Sequence, residues 1–297
     1  MNKTNVIINK YYGGLGNQMF QYTFGLGLAK LGKKVIADTS WYDNGLRTRG
    51  EFFLEKVFPA ITIDRDEERV RLLNNYLANK WIGSKVISRV FPDIGKIYRE
   101  KREFEYDEKA LQTSKEAVSG YWQCCKYVNN VSKDLRKQFV FEYVLTLELQ
   151  ALLKKIEKSN AVFLHVRGGD YISSSKALKL YGNICTKDYY KNAISLMKSK
   201  LSNPSFWVFS NDREYAESVI IEQEDIYFIS DFISEPYEDW LDLMMMSKCK
   251  HAIIANSSFS WWGAWLIENK EKIVVAPRKW VNRNWNFDIL EPKWIKL

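Results

Sequence analysis

Five short apolar runs, Ala161–Val166, Phe206–Phe209, Ile226–Ile229, Ala252–Ala255 and Ile273–Ala276, alternate with stretches of helical period near 187–201, 213–222, 237–248 and 259–269. Continuous apolar character is what a strand buried on both faces requires, and the alternation predicts a parallel sheet with helices on either side. The start of the chain repeats the pattern, with Val6–Ile8 as a strand, Asn17–Leu31 as a helix and Val35–Ala37 as a second strand. Beyond about residue 50 the pattern blurs, and Val140–Glu157 reads as one long helix leading into the second series. The expected fold class is therefore α/β. Two Rossmann-like units, residues 1–157 and 158–297, are expected to face each other across a cleft, with ligands at the strand carboxyl ends.

Composition narrows the class further. With 46% apolar residues and 27% charged, the 297-residue chain is globular rather than disordered. It has no apolar run long enough to span a membrane. The opening MNKTNVIINKYYGG lacks the apolar core of a signal peptide, so a cytoplasmic protein is expected. Cys124, Cys125, Cys185 and Cys249 form no CxxC pair and suit neither a zinc site nor a disulfide framework.

The net charge of +8 is uneven, with 24 basic and 18 acidic residues in 1–150 against 20 and 18 in 151–297. Much of the excess lies in residues 80–102, where Ile82, Val86 and Val90 recur every four residues. That segment reads as a surface helix with one face in the core. Its other reading is a peripheral contact with the inner face of an anionic membrane. Aromatic residues make up 15% of the chain, including 11 Trp, which suits either a stacking surface for sugars or bases or a Trp-rich core.

The first βα turn reads Gly13-Gly14-Leu15-Gly16-Asn17-Gln18-Met19-Phe20. Glycines between a strand and a helix let a ligand approach the backbone near the helix N-terminus, where N–H groups favour anions. A dinucleotide fingerprint needs a third glycine where Met19 stands, although Asp38 sits where a ribose-binding acid would. The turn thus fits a donor ligand through Gly14, Gly16, Asn17 and Gln18, an NAD site, or a tight structural turn.

In the second half, polar residues gather at the same end of four successive strands. The first ends His165-Val166-Arg167-Gly168-Gly169-Asp170-Tyr171, with His165 and Arg167 two apart and therefore on one face. An always-charged guanidinium there suits a phosphate, and an ion pair with Asp170 is the plainer reading. The next strands end in Asn211-Asp212, in Asp231 and in Asn256-Ser257-Ser258-Phe259-Ser260. Asn256, Ser257 and Ser258 are good helix caps, and the helix they open presents N–H groups to an anion. Hydroxyls, helix N-terminus and Arg167 together predict a diphosphate cradle.

Three blocks make a specific resemblance. Gly13 through Tyr22, His165-Val166-Arg167 with Gly169-Asp170-Tyr171, and Ala255-Asn256-Ser257-Ser258-Phe259-Ser260-Trp261-Trp262-Gly263-Ala264-Trp265 resemble the signature blocks of α-1,2-fucosyltransferases, glycosyltransferase family 11. The resemblance implies a GT-B fold, GDP-fucose as donor, a terminal β-galactoside as acceptor, inversion at the fucose anomeric carbon, and no required metal or other cofactor. One position departs: the family's strand-end motif has a second arginine where this chain has Gly168. No block matches between about 45 and 130, where acceptor choice is expected to lie.

On this reading Arg167 and the helix N-terminus at Ser257–Ser260 stabilise the charge gathering on departing GDP. Asn17 reaches the fucose or the reacting hydroxyl, and the base is Asp38, Asp43, His165 or the leaving phosphate. Two other classes remain open: an NAD-dependent oxidoreductase and a nonenzymatic carbohydrate-binding protein. Nucleic-acid binding is not expected, because exposed aromatics do not interleave with the basic residues.

Overall fold

A computed structural model describes residues 5–43, 50–78, 96–169, 174–221, 224–233 and 237–297. The chain divides into two compact units, Met1–Glu142 with Asn286–Ile289, and Tyr143–Trp285 with Leu290–Leu297. Each contains one all-parallel sheet.

The first unit is built on β1 (Val6–Lys10), β2 (Lys34–Asp38), β3 (Ile97–Arg99) and β4 (Ala117–Ser119), in the order β2-β1-β4-β3. Period-two alternation gives the sheet two apolar faces. Ile7 packs on one side with Phe24, Leu28, Val118 and Trp122, while Ile8 packs on the other with Ile36, Leu73, Ile97 and Ala117. The expected strands and helix of the opening residues are present as β1, Leu15–Lys30 and β2.

The second unit has six strands, β5 (Asn160–Val166), β6 (Pro204–Ser210), β7 (Ile226–Phe228), β8 (His251–Ile253), β9 (Val274–Ala276) and β10 (Ile295–Lys296). Their order is β10-β9-β8-β5-β6-β7, every pair parallel. All five expected runs lie at these strands, with helices Lys187–Lys200, Arg213–Val219, Trp240–Lys248 and Ser258–Leu266 between them. Val162, Leu164 and Val166 join Tyr190, Ile194 and Met197 in one cluster. Phe163 takes the opposite face, against Gly263 and Met246 of the helices there.

Two expectations need correction. Val140–Glu157 is not one helix: the helix is Leu147–Lys158, opened by Thr146, whose side chain accepts the Leu149 N–H. Val144 is 91% exposed, Val140 43% and Tyr143 53%, with Tyr143 meeting Trp240 edge-on, so this stretch has no buried apolar face to hold it helical. The boundary also moves, from 157/158 to 142/143, because Leu149, Leu152 and Ile156 bury this helix against β5 and helix Trp240–Lys248.

Among the described residues no helix is long and apolar enough to cross a membrane. Of the basic segment 80–102, residues 80–95 lie outside the described residues, and the remainder contains β3.

Candidate active site

At the carboxyl end of β1 the chain turns through Gly13, whose φ of +82° is the left-handed region. A Cβ at Gly13 would lie 2.4 Å from Asn17 Nδ2, so close approach as well as backbone angle requires glycine. Gly14 caps the helix without a side chain, and its carbonyl accepts from Asn17 N (2.9 Å) and Gln18 N (3.1 Å).

Gln18 is fully buried. Its Nε2 donates to Gly13 O (3.1 Å) and Glu51 O (2.8 Å), and its Oε1 accepts from Phe53 N (2.8 Å). The expected donor ligand is thus a fastener of the turn. Asn17 is half-buried, with Oδ1 accepting from Gln123 Nε2 at 2.8 Å. Gln21, also buried, ties Tyr12 N (3.2 Å) to Gly120 O (3.2 Å).

Asp38, 1% exposed at the end of β2, forms an ion pair with Lys10 and accepts from Ser40 N (3.1 Å) and Oγ (2.6 Å). Burial pushes its carboxyl up, but Lys10 and Ser40 outweigh it and hold the group below the ordinary value. A buried, paired carboxylate of lowered basicity does not suit the base expected here, and Asp38 is better described as a structural anion. Asp43 is exposed.

In the second unit, β8-β5-β6 adjacency brings the ends of three strands together. His165, buried at 4% exposure, has its ring centroid 6.0 Å from that of Phe259, which joins the second sequence block to the third. Burial, and after it the positive charge of Arg167, pushes His165 down to about 3. It is therefore neutral in the physiological range and too weak a base to take a proton there. Its Nδ1 is buried without a hydrogen-bond partner, a state that costs about 1–3 kcal/mol. Arg167, half-buried, lies two residues on.

The surrounding polar residues shape this corner. Asn211 Oδ1 accepts from Gly168 N (3.1 Å) and Asp212 Oδ2 from Gly169 N (3.2 Å), while Asp212 Oδ1 caps the next helix at Tyr215 N (3.0 Å). Asn256 Nδ2 donates to Tyr181 O (3.0 Å) and Trp280 O (3.1 Å). Ser257 Oγ caps Phe259 N (3.3 Å), and buried Ser260 Oγ donates to Ala255 O and Ser257 O, both at 3.3 Å. Asp231 is paired with Arg213 at 2.6 Å.

Of the expected donor ligands in this unit, Asn211, Asp212, Asp231, Asn256, Ser257 and Ser260 therefore have structural partners. His165 Nδ1 is the buried atom left without one, and Arg167, Ser258 and Phe259 beside it are half-buried. Asp170 lies outside the described residues, so the expected ion pair with Arg167 does too.

Two carboxyls carry signals that the sequence reading missed. Glu100, just after β3, is pushed up to about 8, first by burial. Asp242 is pushed up to about 7 by burial, although Tyr237 Oη donates to it at 2.6 Å. Neither sits in a motif; only three-dimensional burial distinguishes them from surface acids.

Residues 91–297 match the family model described as Glycosyl transferase family 11. An alpha-1,2-colitosyltransferase of Escherichia coli is 31% identical over 98% of this chain and 99% of its own length. The O-antigen biosynthesis glycosyltransferase WbnK of Escherichia coli is likewise 31% identical, over 96% of this chain and 98% of its own. Galactoside alpha-(1,2)-fucosyltransferase 1 of Saimiri boliviensis boliviensis is 25% identical over 50% of this chain and 42% of that protein.

Proposed function

The chain belongs to glycosyl transferase family 11 and is a glycosyltransferase, and we propose that it moves L-fucose from GDP-β-L-fucose to the 2-hydroxyl of a terminal β-galactoside. The transfer inverts the anomeric carbon and makes an α-1,2 linkage. The observation that carries this reading is the corner at the ends of β5 and β8, where a buried histidine with an unpartnered Nδ1 lies beside Arg167 and the N-terminus of helix Ser258–Leu266. A buried unsatisfied nitrogen beside a cation and a helix N-terminus favours a polar, anionic ligand.

As the fucosyl C1–O bond to phosphate breaks, its electrons move onto GDP while the ring gains oxocarbenium character. Arg167 and the helix N-terminus meet that charge with preorganised positive groups. Neutral His165 positions a phosphate or sugar oxygen by a hydrogen bond at Nδ1. Metal independence is part of the proposal, and turnover unchanged after EDTA treatment is the expected result.

Binding is tested by thermal shift. Stabilisation by GDP and GDP-fucose, with none by NAD or an oligonucleotide, supports the reading over an oxidoreductase or a binding protein. Arg167→Ala is expected to lower turnover by about 10²–10³, and a variant within a few-fold of wild type would refute the assignment.

The 31% identity to the colitosyltransferase favours one second reading, colitose as the donor sugar. Competition between GDP-fucose and GDP-colitose decides it. The match to WbnK supports an O-antigen repeat unit as the acceptor-bearing glycan, which an acceptor screen with linkage read by NMR would test.

A further inference from the structure

In the first unit, β1, β4 and β3 are consecutive in the sheet, and the registers Asn9↔Val118 and Tyr98↔Val118 bring Tyr12, Tyr121 and Glu100 to one level at the carboxyl ends. The Tyr12 and Tyr121 rings meet edge-on with centroids 4.8 Å apart. Glu100 N donates to Ser119 O at 2.9 Å, and its carboxylate accepts from Tyr121 N (2.7 Å) and Trp122 N (3.1 Å). Those two bonds fix the carboxylate and leave each oxygen a further lone pair. A Cβ on Gly120 would lie 2.6 Å from Glu100 Cβ, so the acid is seated against bare backbone. Trp122, held at φ +56°, is anchored by stacking on Phe24 with ring centroids 3.9 Å apart. All three residues, Tyr12, Tyr121 and Glu100, are half-buried rather than sealed in the core.

We propose that this cluster binds the acceptor sugar, and that Glu100 is the base for its reacting hydroxyl. The inference rests on the glycosyl transfer proposed above and assigns the proton that reaction leaves open. Aromatic faces take the C–H face of a pyranose, and the carboxylate accepts from its hydroxyls. The hydroxyl proton passes to Glu100, the freed oxygen forms the new bond to C1, and the breaking C1–O pair leaves with GDP. The proton then goes to water.

Of the other named side chains, Asp38 is locked to Lys10, His165 is too weakly basic, and Asp43 is an exposed residue that no contact ties to this cluster among the described residues. Burial raises Glu100 to about 8, with Glu103 and Asp107 adding and the two N–H donors opposing. Tyr12, Tyr121 and Tyr127, each raised mainly by burial, also face it.

The test compares wild type, Glu100→Gln and Tyr121→Ala for GDP binding, donor hydrolysis and transfer to a β-galactoside between pH 6 and 9.5. Wild-type kcat/KM should fall about tenfold per pH unit below about 8, and Glu100→Gln should lose about 10²–10⁴ in kcat together with that limb while still binding GDP. Tyr121→Ala should raise acceptor KM about three- to tenfold with a much smaller change in kcat. Glu100→Gln within a few-fold of wild type and with the same pH profile overturns the proposal. Because Gln disturbs the hold on two amides, wild type alone decides if that variant misfolds, and a flat profile across this range overturns it. A wild-type protein that binds no GDP refutes the transferase reading instead.

Discussion

Gly168 has no room for a side chain. Its Cβ would lie 2.5 Å from Asp212 Cβ and 2.9 Å from Asp212 Oδ2, on a residue that both caps a helix and holds the Gly169 amide. Restoring the family arginine by Gly168→Arg should therefore cost stability, about 1–3 kcal/mol in thermal or urea melts, rather than improve turnover. Asp38→Asn should cost about 1–3 kcal/mol by weakening the bonds to Lys10 and Ser40, Lys10 keeping Asn74 Oδ1 at 3.0 Å, yet leave turnover near wild type well below the melting point. The Asp38 carboxyl is lowered on folding, so its contribution is present above the ordinary carboxylate pKa and disappears as pH falls through the lower folded value. Acid melts of Asp38→Asn should accordingly show a shallower loss below about pH 4 than wild type. His165 and Arg167 were legible in the sequence because strand periodicity and a following Gly-Gly pair mark them. The division of labour around them was not. Asn211, Asp212 and Asn256 look the same in sequence whether they face a ligand or a backbone amide, and Glu100 owes its setting to Tyr121 and Trp122, more than twenty residues away.

Helix Ser258–Leu266 shows why a block that looks functional also has a packing role. Trp261 and Trp262 are fully buried and meet edge-on at 4.9 Å, while Gly263 lets the helix settle on Met246 and Phe163. Gly263→Ala would place a Cβ 2.9 Å from Met246 Sδ and 3.3 Å from Phe163 Cζ, and should destabilise by about 1–3 kcal/mol. Met246→Ala should recover part of that loss, and a double-mutant cycle in urea would read the coupling. The aromatic excess is thus largely core here, whereas Tyr12 and Tyr121 keep accessible surface. Strands β3, β4 and β10 escaped the sequence reading because each offers only a pair of apolar residues between polar ones, whereas the equally short β7, β8 and β9 lie in apolar runs of four. The long runs of β5 and β6 were legible for the opposite reason.

At the scale of the whole chain, the two halves differ in how openly the sequence declares them. In the second unit every parallel crossover up to β9 uses a regular helix, so the alternation is visible by eye. In the first, only the β1–β2 crossover is one long helix, Leu15–Lys30, and among the described residues the connections to β3 and β4 hold helices of four to twelve residues. Hydrogen exchange separates the proposed roles of the two: GDP should protect amides in 165–169 and 256–262, and acceptor should protect 100–122. Protection of the same segments by both ligands would contradict the assignment. The four residues Asn286–Ile289 return to the first unit, where Asp288 O accepts from Cys125 N (2.8 Å) and Asp288 N donates to Phe104 O (2.7 Å). For anyone recombining relatives to change acceptor preference, a single crossover near residue 142 would import a foreign version of that strap. A working chimaera needs a second exchange point late in the chain, so that the first half keeps its own Asp288.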